Sequence, residues 1–140
     1  MDYSGSMSSD DITSMQTAAK LIVDNKAAID EGMIVKFSDN PDVIQALTAD
    51  ASLLSAAIDS TYSNSGYTAM YDAIDVALNE LANTSGRKAI IVLTDGDDTV
   101  SSATLDSVIA NSNQNDIPLF TIGLGQADAT VLQELANRTY

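Results

Sequence analysis

Apolar residues recur along this chain in two rhythms, one with the period of a helix and one nearly continuous over short stretches. In "SSDDITSMQTAAKLIVDNKAAI", capping residues precede Ile12, Met15, Ala19, Ile22 and Val23 at helical spacing. This predicts a helix from about Asp10 to Ile29, stopped by Gly32. "MIVKFS" (Met33 to Ser38) reads as a strand and "DNPD" as a turn. "DVIQALTAD" is ambiguous and reads as a short edge strand followed by a helix cap at Thr48 or Asp50. "ASLLSAAIDSTY" reads as a helix and "SNSGYT" as a loop. "AMYDAIDVALNELAN" is amphipathic, with Met70, Ile74, Ala77, Leu78 and Leu81 on one face. "KAIIVLTDG" is a β-branched, nearly unbroken apolar run, the mark of a strand buried on both faces. A helix over "SATLDSVIANSNQN", a buried strand over "IPLFTIGLG" and a helix over "DATVLQELANR" complete the succession.

Strands buried on both faces and alternating with helices predict an α/β fold built on a doubly wound, mostly parallel central sheet flanked by helices. No internal repeat is visible, and the linkers are short, so residues 1–140 read as one domain. In open sheets of this kind, ligands sit at the carboxyl ends of the strands. The two sharpest polar clusters, "DYSGS" and "TDGDD", need only that placement to meet. The second follows its strand directly; the first has no strand in front of it.

Composition narrows the chemistry. The net charge is -14, from 20 acidic and 6 basic residues, which argues against nucleic acid and against anionic lipid as partners. The chain has no cysteine and no histidine, so disulfides, thiolate sites, the usual zinc ligands and the commonest general base are excluded. A metal here must be held by oxygen, which favours Mg²⁺, Ca²⁺ or Mn²⁺. No apolar run approaches the roughly 18 residues of a membrane span.

Three segments supply candidate oxygens: Asp2, Ser4 and Ser6 in the opening loop, Thr68 ahead of a helix, and Asp95 at the end of the "AIIVL" strand. Hydroxyls are neutral ligands, so an ion held by three of them keeps most of its charge, and two carboxylates can balance it through water. Taken singly, each residue has a plainer reading. Asp2 and Ser4 also read as turn residues, Thr68 as a helix N-cap, and Asp95 with Gly96 as a strand-to-helix turn. Asp10 and Asp11 read as charges at a helix N-terminus. Asp39, Asp97 and Asp98 read as surface residues near the same face. Tyr3 and Tyr67 flank ligand positions and read equally as partner contacts or loop packing.

Together, "DYSGSM", "GYTAMYDAI" and "LTDGDDT" resemble, in order, the three motif regions of the metal-ion-dependent adhesion site in von Willebrand factor type A domains, the fold shared with integrin inserted domains. The resemblance covers essentially the whole chain and implies a Rossmann-like fold. It implies that Ser4, Ser6 and Thr68 coordinate the ion and that Asp2 and Asp95 act mainly through water. It further implies Mg²⁺ as the ion, with Mn²⁺ or Ca²⁺ as substitutes, and a Glu or Asp of a protein partner completing its coordination. In the family the first motif ends a central β-strand, and a further strand and helix follow the last helix. The first central strand is therefore expected to be missing from this chain, which reads as a fragment cut at both ends, or as one that receives a strand from another chain. Such a chain is expected to be poorly stable alone.

Rival readings lack parts. Asp95-x-Asp97-x-Thr99 also resembles the nucleophile motif of haloacid-dehalogenase-type phosphatases, but these need a downstream Lys, and after Lys88 the only basic residue is Arg138. There is no phosphate-binding G-x-x-x-x-G-K-[ST], and a serine hydrolase lacks its histidine. The expectation is a binding module and not an enzyme. The alternative is a regulatory subunit docking onto an AAA-type ATPase or chelatase. Few Lys residues, no Cys and many Ser, Thr, Asn and Asp residues lean toward an extracellular or surface-exposed bacterial setting over a cytoplasmic one.

Overall fold

The computed structural model describes residues 1–63, 66–125, 127 and 129–139. Within them the elements run α1 (Ser9–Asn25), β1 (Gly32–Phe37), β2 (Pro41–Thr48), α2 (Ala51–Asp59), α3 (Met70–Ala82), β3 (Ile90–Thr94), α4 (Leu105–Gln114), β4 (Leu119–Gly123) and α5 (Ala129–Arg138). The succession is the expected α/β one. Asp128, where the last helix was expected to begin, lies outside the described residues.

Local chemistry explains most boundaries. Ser8 caps α1 by accepting from the Asp11 N–H at 3.1 Å, and the Asp11 carboxylate returns the bond to the Ser8 N–H at 3.2 Å. The helix stops at Asn25, not at Ile29 as its apolar pattern suggests. There Asp30 accepts from the Ala27 N–H at 3.1 Å and Asp30 N–H donates to the Ala27 carbonyl at 3.0 Å, a local turn that competes with the helical ladder. Ile29 is left 86% exposed. The ambiguous stretch is a strand: β2 pairs with β1 in antiparallel register, and Phe37 faces Pro41. The turn is confined to Ser38–Asn40, and Pro41 opens an outer strand, where its missing N–H is tolerated. Asp50 then caps α2, accepting from Ser52 N–H at 2.8 Å.

Among the described residues the strands form two two-stranded sheets, antiparallel β1–β2 and parallel β3–β4, and not one continuous parallel sheet. What lies between them is the start of the chain. Asp2 N–H donates to the Leu93 carbonyl at 3.0 Å, Phe37 N–H to the Met1 carbonyl at 3.1 Å, and Tyr3 N–H to the Phe37 carbonyl at 2.7 Å. Asp2 forms an isolated parallel bridge with Phe37.

Apolar side chains gather on both faces of β3. Val92 packs with Ile74 and Leu78 of α3, Val108 of α4, Leu119 of β4 and Leu135 of α5. Leu93 points the other way, to Met1, Tyr3, Met15 and Val23 of α1, and Leu54 and Ile58 of α2. Full burial of side chains such as Ile74 and Leu78 contributes about 1.5–3 kcal/mol each. These two layers hold the ends of β1, β3 and the opening segment at one edge of the molecule.

Candidate metal centre

Asp2 is wedged between β1 and β3 and is 0% exposed. Its Oδ1 accepts from Ser4 N–H at 2.8 Å and its Oδ2 from the Thr94 hydroxyl at 2.5 Å. The Thr94 oxygen in turn accepts from Gly96 N–H at 3.2 Å, and the Gly96 carbonyl lies 3.2 Å from the same hydroxyl. The ion pairs among the described residues lie elsewhere, joining Lys20 to Asp59 and Arg138 to Asp106 and Glu134. Asp2 thus sits in the interior with hydrogen bonds but no cationic side chain beside it, a costly place for a negative charge.

From Asp2 a line of oxygens leads outward. The buried Ser4 hydroxyl lies 3.0 Å from that of Ser6, and the Ser6 hydroxyl donates to Asp95 Oδ1 at 2.8 Å. Asp95 is half-buried just beyond the end of β3. Burial pushes its carboxyl above the ordinary value, the Ser6 hydrogen bond pulls it down, and the negative charge of Asp2 adds to the upward push. Two carboxylates that repel each other across two hydroxyls suit a hard cation, which would relieve both the repulsion and the burial cost of Asp2. Among the described residues no three His, Cys, Asp or Glu side chains are placed to hold a metal ion. A cation at this edge therefore needs the hydroxyls.

The structure brings Asp2, Ser4, Ser6 and Asp95 into one hydrogen-bonded chain. Thr68 is not a member of that chain. Thr68 is buried, its N–H donates to the Thr99 hydroxyl at 2.8 Å, and its carbonyl accepts from Thr99 N–H at 2.9 Å. Ala69 N–H reaches the Ser38 carbonyl at 2.7 Å, and Tyr67 N–H reaches Asp39 Oδ1 at 3.0 Å. The Thr68 segment is thus pinned between the end of β1 and the loop that continues from Asp95. Thr68 is not the N-cap of α3: Ala69 holds that position and makes no side-chain cap. Asp98 supplies the missing acceptor from a distant loop. It takes the Tyr71 N–H at 3.1 Å, while Ser101 takes the Asp72 N–H at 3.0 Å. Asp72 answers by accepting from Ser102 and Ala103 N–H at 3.0 and 2.8 Å.

Of the flanking tyrosines, Tyr3 is core packing: it is buried, its ring lies 5.4 Å from that of Tyr62, and Lys36 Nζ sits 4.8 Å from its centroid. Tyr67 is exposed, as is Asp97. Sequence reasoning missed Thr94, Thr99 and Asp98 as positioning residues. The available signal was a hydroxyl residue closing an apolar strand, in "IIVLT", and a second one five residues on.

An α/β fold with an oxygen-only cradle at the carboxyl ends of its strands defines a narrow class. The chain belongs to the von Willebrand factor type A domain family, whose model matches residues 1–140. Domains of this family commonly serve protein–protein interaction. No curated protein matches the chain at a significant level. Among solved structures it is similar to proximal thread matrix protein 1 of the mussel byssus, at 23% identity over 96% of this chain and 37% of that one, with a TM-score of 0.83. It is similar to the conserved protein BatB of Bacteroides thetaiotaomicron, at 18% identity over 99% and 83% of the two chains, TM-score 0.79. The VWA domain of SpRpn10 follows at 17% identity over 99% and 78%, TM-score 0.67. At these identities the likenesses speak to the fold alone.

Proposed function

We propose that this chain is a metal-dependent protein-binding module and not an enzyme. Ser4, Ser6 and Thr68 would hold a divalent cation, Mg²⁺ with Mn²⁺ or Ca²⁺ as substitutes, while Asp2 and Asp95 balance it through water. The ion would supply an electrophilic point that takes a Glu or Asp side chain from a partner. The chain's own residues set that up: Thr94 and the Ser4 N–H orient the Asp2 carboxylate, and Ser6 steadies Asp95. The observation that carries the reading is the fully buried Asp2, with no cationic side chain at hand and a line of hydroxyls leading from it to Asp95. Within the same reading the two sheets are halves of one doubly wound, mostly parallel sheet. The bonds from Met1, Asp2 and Tyr3 to both halves, and the opposite orientations of Val92 and Leu93, support this. Composition favours an extracellular or surface setting.

Titration calorimetry with Mg²⁺ or Mn²⁺ tests the site. Binding is expected to vanish in Asp2→Ala and to weaken strongly in Thr68→Ala; unchanged binding in both would overturn the assignment. A partner captured through the ion should dissociate in chelator and lose as much affinity when its key Glu is replaced by Gln. Salt should matter less, because screening over about 8 Å already limits long-range repulsion from the net charge of -14.

A further inference from the structure

Tyr3 sits between two residues of the candidate centre and points away from both. Asp2 and Ser4 send their side chains toward Thr94 and Ser6, while Tyr3, 3% exposed, crosses to the carboxyl end of α2. That alternation is the ordinary one of an extended segment. We propose that Tyr3 is a positioning residue for the metal centre, gripped by Lys36 and Gln16 at the carboxyl end of α2, so that the α1–α2 layer sets how tightly Asp2 and Ser4 receive a cation. The inference rests on the metal reading above.

The grip is built on one carbonyl. Ile58 lies in the last turn of α2, where carbonyls have no partner in the helical ladder. Its oxygen takes Lys36 Nζ at 3.1 Å, Gln16 Nε2 at 3.2 Å and the Tyr3 hydroxyl at 3.5 Å. Gln16 also donates to the Tyr3 oxygen at 3.2 Å, so α1 meets the phenol and the helix end together. A cation at a helix carboxyl terminus is favourable, and the Lys36 ammonium adds bonds to Ser60 O and Oγ. The same ammonium sits 4.8 Å from the centre of the Tyr3 ring, whose other ring neighbour, Tyr62, lies 5.4 Å away. Away from water such a cation–ring contact is strong. The main chain of Tyr3 is fixed as well, its N–H donating to Phe37 O at 2.7 Å. Lys36 precedes Phe37 in β1, so one strand holds both the ring and the backbone of Tyr3. With both held, the peptide between Tyr3 and Ser4 has little freedom, and its N–H meets Asp2 Oδ1 at 2.8 Å. Tyr3, Lys36 and Gln16 thus act through Asp2 and Ser4 and not as ligands.

Two readouts on the full chain test it: Mg²⁺ calorimetry, and hydrogen exchange of the Ser4 amide relative to Val92 in the absence of metal. Tyr3→Leu should weaken Mg²⁺ binding about tenfold, the size of a buried cation–ring contact, and speed the relative Ser4 exchange by a similar factor. Lys36→Met should do the same, and Tyr3→Phe, which keeps the ring, should stay close to the unmodified chain. Val23→Ala is the packing control. It trims the same apolar layer near the far end of α1, and should lower stability but move neither readout. Should Tyr3→Leu not fold, Lys36→Met decides. Tyr3 and Lys36 variants that match Val23→Ala in both readouts would overturn the proposal. Faster relative Ser4 exchange with no Mg²⁺ bound by any chain, the unmodified one included, would overturn the metal reading and leave Tyr3 as the residue that positions Asp2 and Ser4.

Discussion

The Thr94 hydroxyl lies 2.5 Å from Asp2 Oδ2 and joins residues 92 positions apart in the chain. It places the end of β3 against the one fully buried carboxylate of the candidate centre. Hydrogen bonds to charged groups contribute about 1.5–3 kcal/mol. Thr94→Val should therefore lower stability by that amount in urea unfolding and weaken Mg²⁺ binding. Thr94→Ser, which keeps the hydroxyl, should restore most of both.

Asp98 caps α3 from across the molecule, through the Tyr71 N–H. Asp98→Ala should cost about 1 kcal/mol, the usual worth of a helix cap. Asp98→Asn, which retains an acceptor, should cost less. Comparison of denaturant midpoints decides it. An equal loss in both variants would assign the effect to charge and not to capping.

Lys36 is fully buried inside a strand, and its ammonium donates to Ile58 O at 3.1 Å, Ser60 O at 2.5 Å and Ser60 Oγ at 3.1 Å. Burial lowers its pKa, opposed by the charge of Asp59. Lys36→Met fills the same space but leaves those acceptors without their donor, at a cost of about 1–3 kcal/mol. Urea unfolding at pH 7 measures it, and an unchanged midpoint would show that water replaces the ammonium.

The sequence by itself determined the elements whose reasons are local. The apolar face of α3, the Ser8 capping box of α1 and the unbroken apolar run of β3 all depend on neighbours within about four residues or on alternation along one strand. The order of the oxygen-bearing segments, Asp2 to Ser6, Thr68 and Asp95, was legible for the same reason: each sits where a strand or loop must end. Other features were decided only by tertiary structure. Nothing near Asp98 in the chain marks it as the cap of α3, because its acceptor serves a helix that starts 28 residues earlier, at Met70. "MIVKFS" read as apolar apart from one lysine, yet the fold buries Lys36 among carbonyls of α2 and its exit. The pairing of β2 against β1 and the bonds from Met1, Asp2 and Tyr3 to β1 and β3 likewise arise from long-range contacts. Those contacts form between groups that no sequence window contains together, and their energies exist only once the backbone has closed around them.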